Sequence, residues 1–257
     1  MDVLKAELEK AFSIQKFDRN FSDTKTVREC RNLIQSLTEV NNGCAVLSDL
    51  AAGRSYFSIG SFGEYLGLSQ KDLSQEIIES LDEDCIYQHI HPEDLVDKRM
   101  LELKFFTFLC SLPIQDRSKY RSNCRIRMLN NKGTFSYISN RTHILRNDPC
   151  GNMWLALCQY DISPDQAERV GINSQIINTE TGEVTPLFLN EERMSIISER
   201  EKSILQLIKE GYLSKEIARE LNISVNTVNR HRQNILQKLC VKNSLEAIRA
   251  AEIMKLL

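Results

Sequence analysis

The sequence predicts an α+β protein in two parts: an antiparallel sheet with flanking helices, followed by an all-α unit of four short helices. Three observations predict it. Apolar residues recur at helical spacing through residues 198–257, in short segments that each begin at a hydroxyl or amide side chain. Three long alternating or apolar runs, 120–129, 135–145 and 153–160, are divided by Asn130-Asn131-Lys132-Gly133 and Asn147-Asp148-Pro149-Cys150-Gly151, both reversal signals. Charge is also uneven, with 11 Lys and Arg against 7 Asp and Glu from Ser198 onward and 22 against 28 before it.

In chain order, residues 1–43 read as a helical segment, with Leu4, Leu8, Ala11 and Phe12 at helical spacing and a second stretch over 27–37. Asn41, Asn42 and Gly43 break it. From Cys44 the pattern turns to short apolar runs, 45–47 and 56–59, then to a polar helical region containing His89-Ile90-His91-Pro92-Glu93-Asp94 and a helix over 95–110. The three long runs follow as consecutive antiparallel strands, so 44–165 forms one sheet wrapped by helices. Residues 166–197 form a linker, in which 172–177 and 184–189 flank Thr181-Gly182 like a small hairpin.

Residues 198–257 make the four-helix unit. Ser198 and Glu201 have capping-box spacing, Ile204, Leu205 and Ile208 point inward, and Gly211 suits a left-handed helix end. A second helix over 215–221 opens after Ser214 as its cap and buries Ile217, Ala218 and Leu221; Asn222 and Ile223 then turn the chain. A third begins at Ser224 and commits Val225, Val228, Ile235, Leu236 and Leu239 to a core. Its other positions, Asn226, Asn229, Arg230, Arg232, Gln233 and Lys238, include no acid, which suits a helix in the major groove: amides and guanidiniums reach base edges and no carboxylate repels phosphate. A fourth, capped by Asn243 or Ser244, carries Leu245, Ile248, Ala251 and Ile253 or Met254, and Ala247 and Ala250 make part of its surface thin.

The run Ser198-Glu199-Arg200-Glu201, Leu205, Gly211, Lys215-Glu216-Ile217-Ala218, Leu221, Ile223-Ser224, Thr227-Val228, His231, Asn234-Ile235, Lys238-Leu239 and Glu246-Ala247 resembles the LuxR-type DNA-binding domain without a gap. The resemblance implies that the third helix enters the major groove of double-stranded DNA and that the fourth forms a two-fold contact, giving a homodimer on DNA. By position, Asn229, Arg230 and Gln233 face bases, while Lys215, Thr227, Arg232 and Lys238 are candidate phosphate contacts. Cys240 stands where the family often has glycine. His231 is expected to pack or cap, and Glu216 and Glu246 to serve local structure. Sigma-factor promoter readers share the opening and the Lys-Glu-Ile-Ala segment, but the amphipathic helix with Glu246-Ala247 has no counterpart there.

Upstream, Asp49, Gly53, Ser58, Tyr65-Leu66-Gly67, His91-Pro92-Glu93-Asp94, Arg125, Arg127, Asn131-Lys132-Gly133 and Asp161-Ile162-Ser163 resemble the PAS sensory fold over 44–165. The resemblance implies a bound small molecule, cofactor or partner; which cofactor is unknown. Asn123-Cys124-Arg125 matches a flavin-photosensor motif by chance, since it opens a strand and the motif belongs on a helix. His89, His91 and His143 are conceivable haem ligands, with capping or surface roles expected at His91. Trp154, the only tryptophan, is expected to pack the sheet, and the run Asp82-Glu83-Asp84 to be solvated. The antiparallel run argues against a phosphoacceptor receiver, and a single tryptophan against an acyl-homoserine-lactone pocket.

At 257 residues and 42% hydrophobic content the chain can build two cores. It has no run of about 18 apolar residues and no signal peptide, so a cytoplasmic protein without membrane contact is expected. Eight scattered cysteines, with neither C-x-x-C nor zinc spacing, read as reduced and mostly buried thiols, and no metal site is expected. No nucleophile elbow, P-loop or dinucleotide fingerprint is present, so no catalysis is expected. The sequence therefore points to a transcriptional regulator with a PAS-like input and a LuxR-type output. The alternative is an adaptor whose PAS-like half assembles with partners and whose basic helices bind DNA weakly.

Overall fold

The computed structural model describes residues 3–18, 21–68, 77–81, 83–189, 197–239, 241, 243–253 and 256–257. The chain divides into two compact units: residues 11–187, and residues 188–257 together with 1–10.

The larger unit is built on one sheet of eight strands, all paired antiparallel, in the order β3-β2-β1-β6-β5-β4-β7-β8. The strands are β1 (Cys44–Asp49), β2 (Arg54–Ile59), β3 (Ile77–Ile78), β4 (Tyr120–Leu129), β5 (Phe135–Asn147), β6 (Met153–Ile162), β7 (Gln175–Asn178) and β8 (Val184–Pro186). Gly133 and Gly151, with φ of +75° and +85°, take the left-handed conformations that the β4–β5 and β5–β6 reversals need. The expected three-strand run is present, and the hairpin expected within the linker is part of the sheet: β7 pairs with β4, Arg121 opposite Ile177.

Helix α1 (Val3–Ser13) precedes α2 (Thr24–Asn41), which starts where Asp23 accepts a 3.0 Å hydrogen bond from the Thr26 N–H and ends at Asn42 in a left-handed turn. Cys30 and Ile34 of α2 pack on one face of the sheet against Ala45, Leu47, Tyr56, Leu155 and Leu157. Trp154 packs here too, donating its indole N–H to Asp49 at 3.0 Å with its ring edge-on to Phe21. Between β2 and β4 lie α3 (Phe62–Leu66), α4 (Asp84–Tyr87) and α5 (Pro92–Ser111). Helix α5 starts three residues earlier than expected because His91 caps it, accepting from the Glu93 N–H at 3.3 Å, and Pro92 suits the first turn. No helix among the described residues is long and apolar enough to cross a membrane. Of the cysteines described, Cys30, Cys44, Cys124 and Cys158 are buried, Cys85 half-buried and Cys110 and Cys150 exposed, none in a disulfide.

The interior of this unit departs from the sequence expectation. Glu83, read as part of a solvated run, is buried and accepts a hydrogen bond from the Tyr160 hydroxyl. Asp82 lies outside the described residues. Around Glu83 stand Lys98, buried and 2.5 Å from Glu102, and Tyr87, whose hydroxyl donates to Glu102 at 2.5 Å. Burial pushes the Glu83 carboxyl up. Burial opposes the charge of Lys98 as well, but Glu102 beside it outweighs this and holds the ammonium above its ordinary range. The run looked solvated because sequence proximity of three acids says nothing of which one meets a lysine from another helix.

In the other unit, α6 (Glu199–Lys209), α7 (Ser214–Glu220), α8 (Val225–Lys238) and α9 (Ser244–Ile253) enclose an apolar core of Ile204, Leu205, Ile217, Val228, Ile235, Ala247 and Ala251. Ala247 was expected to thin the surface; its burial lets α9 approach closely instead. Cys240 and Met254 are outside the described residues.

Candidate nucleic-acid interface

Helix α6 is fixed by a reciprocal capping box. Ser198 Oγ accepts from the Glu201 N–H at 3.3 Å, and Glu201 Oε2 accepts from the Ser198 N–H at 2.8 Å. Gly211, at φ +93°, closes the helix as its sequence position implies. The cap of α7 differs from expectation. Its N-cap is Leu213, whose backbone N–H donates to Glu216 Oε2 at 2.7 Å, and Ser214 is the first helical residue. Asn222 then takes a left-handed φ of +52°, a conformation amide side chains tolerate, and turns the chain into α8.

Helix α8 opens as expected, with Ser224 Oγ accepting from the Thr227 N–H at 3.0 Å. Val228, Ile235 and Leu239 are buried on one side; Val225, expected in the core, is 36% exposed because it sits in the first turn, ahead of the packed stripe. On the side opposite that stripe Asn226, Asn229, Arg230 and Gln233 are all exposed. With one residue per 100° or so of turn, they fall within a single arc, and no acidic residue interrupts it. Asn226 was not singled out from the sequence as a contact residue; its place on the arc becomes visible only once the buried stripe fixes the helix rotation. Lys215, on α7, is exposed as well, and the Thr227 hydroxyl lies 2.8 Å from that of Ser224.

The remaining two candidates are engaged inside the unit. Arg232 donates from Nη1 to Ser214 Oγ at 3.2 Å and from Nη2 to Ser244 Oγ at 3.1 Å, so one guanidinium ties α7, α8 and α9 together. Lys238 Nζ lies 2.7 Å from Glu201 Oε2 and joins the end of α8 to the start of α6. Burial raises the cost of ionising Glu201, but Lys238 and the Ser198 donors outweigh it and hold the carboxyl below its ordinary range. Arg200 makes a further brace, donating to the Leu221 carbonyl at 2.7 Å. His231 is half-buried, and its Nδ1 is shielded from solvent without a hydrogen-bond partner.

Residues 195–251 match the family described as bacterial regulatory proteins, luxR family. This segment is a LuxR-type helix-turn-helix domain. Among curated relatives, the oxygen regulatory protein NreC of Staphylococcus epidermidis is 34% identical over 119 residues, covering 45% of this chain and 53% of that protein. NreC of Staphylococcus carnosus is 48% identical over 62 residues, 24% of this chain and 29% of that one. The response regulator TodT of Pseudomonas putida is 38% identical over 65 residues, covering 25% and 29%. The chain thus spans about half the length, or less, of these relatives. Among solved structures, the phage VqmA–DPO complex aligns over 90% of each chain at 16% identity and a TM-score of 0.30. A Vibrio cholerae VqmA dimer solved without target DNA aligns over 90% of this chain and 88% of that one at 15% identity and a TM-score of 0.31.

The other functional candidates lie in the sheet unit. His91 is the cap of α5, and the neighbouring carboxylates are taken by Arg127, whose Nη2 lies 2.7 Å from Glu93 and 2.6 Å from Asp94. His91, Glu93 and Asp94 bring ligand atoms within 4.8 Å of one another, and both carboxylates are already paired with this guanidinium. Asn123-Cys124-Arg125 lies in β4, as the sequence reading has it. Cys124 is buried with its thiol pushed up to about 12, first by desolvation, which leaves it an inert thiol.

Proposed function

We propose that this chain is a cytoplasmic, non-catalytic transcriptional regulator that binds double-stranded DNA sequence-specifically, as a homodimer, through α8. The acid-free exposed arc of α8 carries this reading. Asn226, Asn229, Arg230 and Gln233 provide the amide and guanidinium donors that read purine edges in the major groove, on a helix held rigid by its buried opposite side. Lys215 and Thr227 flank the arc as phosphate contacts. Arg232 and Lys238, the other two phosphate candidates, act chiefly by bracing the helices, since both are held by Ser214, Ser244 and Glu201.

The sheet unit is read as a PAS-like sensory domain over 44–165 that responds to a small molecule or a partner, with 166–197 leading to the DNA-binding unit from Ser198. The central strand order β2-β1-β6-β5-β4 with helices between β2 and β4 supports this, as does a polar interior of buried Lys98, Glu83, Tyr87 and Tyr160 with half-buried Glu102 beside them. Selection from a random pool of duplexes tests the output. Enrichment of a two-fold symmetric sequence, abolished by Arg230→Ala and Gln233→Ala, is expected; no enriched sequence, or enrichment indifferent to both changes, would refute the reading. Native mass spectrometry of the purified chain tests the input through a retained small molecule.

A further inference from the structure

Helix α2 packs on one sheet face over β1, β2 and Leu155 and Leu157 of β6. Beyond it the same face continues over β6, β5 and β4 with polar side chains. The register sets Ser139 opposite Asp161, Arg141 opposite Asn123, and His143 opposite Arg121, and directly opposed residues share a face. These positions bring the guanidiniums of Arg121 and Arg141 and the His143 imidazole against the Asp161 carboxylate, while Arg125, opposite Ser139 on the same face, is held by Asp165. Asp161 pairs with Arg141. Arg121 has no ion-pair partner among the described residues, and the Nε atoms of both arginines are shielded from solvent without a hydrogen-bond partner. A groove of about 670 Å3 opens over Arg121, Asn123, Ser139, Arg141 and Asp161 but not His143, and is lined also by Asn42, Phe62 and Tyr65.

Two features of this arrangement point to a ligand. Like charges kept together in a partly desolvated groove repel one another, and an anion between them removes the repulsion. Guanidinium forks match the oxygens of carboxylates and phosphates, and shielded donors bind them more strongly than donors in open water. The volume lies in the range of about 300–1,000 Å3 typical of small-molecule sites, more than an inorganic ion requires. We propose that this groove binds a small organic anion, whose carboxylate or phosphate oxygens sit between Arg121 and Arg141 with Asn123 and Ser139 as neutral partners, and whose body lies against Phe62 and Tyr65. The site belongs wholly to the sheet unit and stands independently of the DNA-binding reading.

The test is thermal unfolding of the full chain in titrations of inorganic phosphate, succinate and citrate, with ionic strength held constant by sodium chloride. A saturable rise in midpoint is expected with phosphate or with the carboxylates, and which of them acts identifies the oxygen chemistry. Arg121→Gln and Arg141→Gln should each weaken the apparent affinity tenfold or more, while Lys25→Gln on α2 leaves it unchanged. Should Arg141→Gln fail to fold because it strands Asp161, Arg121→Gln breaks no ion pair and carries the test alone. The proposal is overturned by midpoints that follow ionic strength only, by saturable binding that survives Arg121→Gln, or by binding of polyglutamate with none of the three small anions.

Discussion

In the C-terminal unit Lys215, Arg230 and Gln233 face solvent around an apolar core of Ile204, Leu205, Val228 and Ile235. In the sheet unit Lys98, Glu83 and Glu102 lie inside the fold among Tyr87 and Tyr160. The first arrangement keeps the charge hydrated and available to another molecule. The second removes it from water and makes each ion depend on its partners. Exposed polar residues on a rigid helix are suited to reading a surface, whereas a satisfied buried network holds one internal arrangement and is sensitive to anything that displaces a member.

The sharpest way to break this contrast is Lys98→Met. It takes the ammonium away from buried Glu83 and leaves Glu102 only the more distant Arg99, 3.9 Å away, and a loss of about 3–5 kcal/mol in chemical denaturation is expected for removal of one partner from a buried pair. Adding Glu102→Leu should recover part of it. A loss as small as that of a surface charge would mean that water reaches the cluster and that the two units do not differ.

A smaller effect with the opposite signature is expected at Arg230. Arg230→Ala should leave the unfolding curve unchanged within about 0.5 kcal/mol and weaken binding to the selected duplex by about 1–3 kcal/mol with relaxed specificity at one base position. The pair Lys215→Gln and Lys238→Gln refines this. The exposed Lys215 should lower the salt slope of binding by about one, measured by titration at several salt concentrations. Lys238→Gln should cost about 1–3 kcal/mol of stability, since it leaves the buried Glu201 carboxylate only its Ser198 donors, and leave that slope nearly intact, because Glu201 already holds the ammonium.

Within the sheet unit, His143 adds a dependence on pH. Burial, followed by the charges of Arg121 and Arg141, depresses its imidazole to about 4. The folded state therefore prefers the neutral ring. Its contribution to stability is complete above the unfolded value near 6.5 and is lost as pH falls from there toward about 4. Denaturation across that window should show His143→Gln losing less stability than the parent. Equal slopes for the two proteins would show that the ring is not held neutral.

Much of the C-terminal unit was legible in sequence because its determinants are local. Ser198 and Glu201 are one turn apart, Ser224 caps the helix that follows it, and the spacing of Val228, Ile235 and Leu239 marks the buried side. The strands β4, β5 and β6 were legible for the same reason, through alternation and the turns at Gly133 and Gly151. The cap of α7 was misread because Glu216 and Ser214 compete for one role within three residues, and the Arg232 contact that engages Ser214 comes from 18 positions away.

By itself, then, the sequence determined the α+β class, the three central strands, the four C-terminal helices and the acid-free character of α8, since each follows from contacts a few residues apart. Only the tertiary structure decided that the hairpin at Thr181-Gly182 extends the sheet, that Glu83 is buried beside Tyr160, and that Arg121, Arg141 and His143 meet on one face. These depend on register and on contacts across 20 to 80 positions or so of chain, and the energy of a long-range contact is not written in the local pattern at either of its ends.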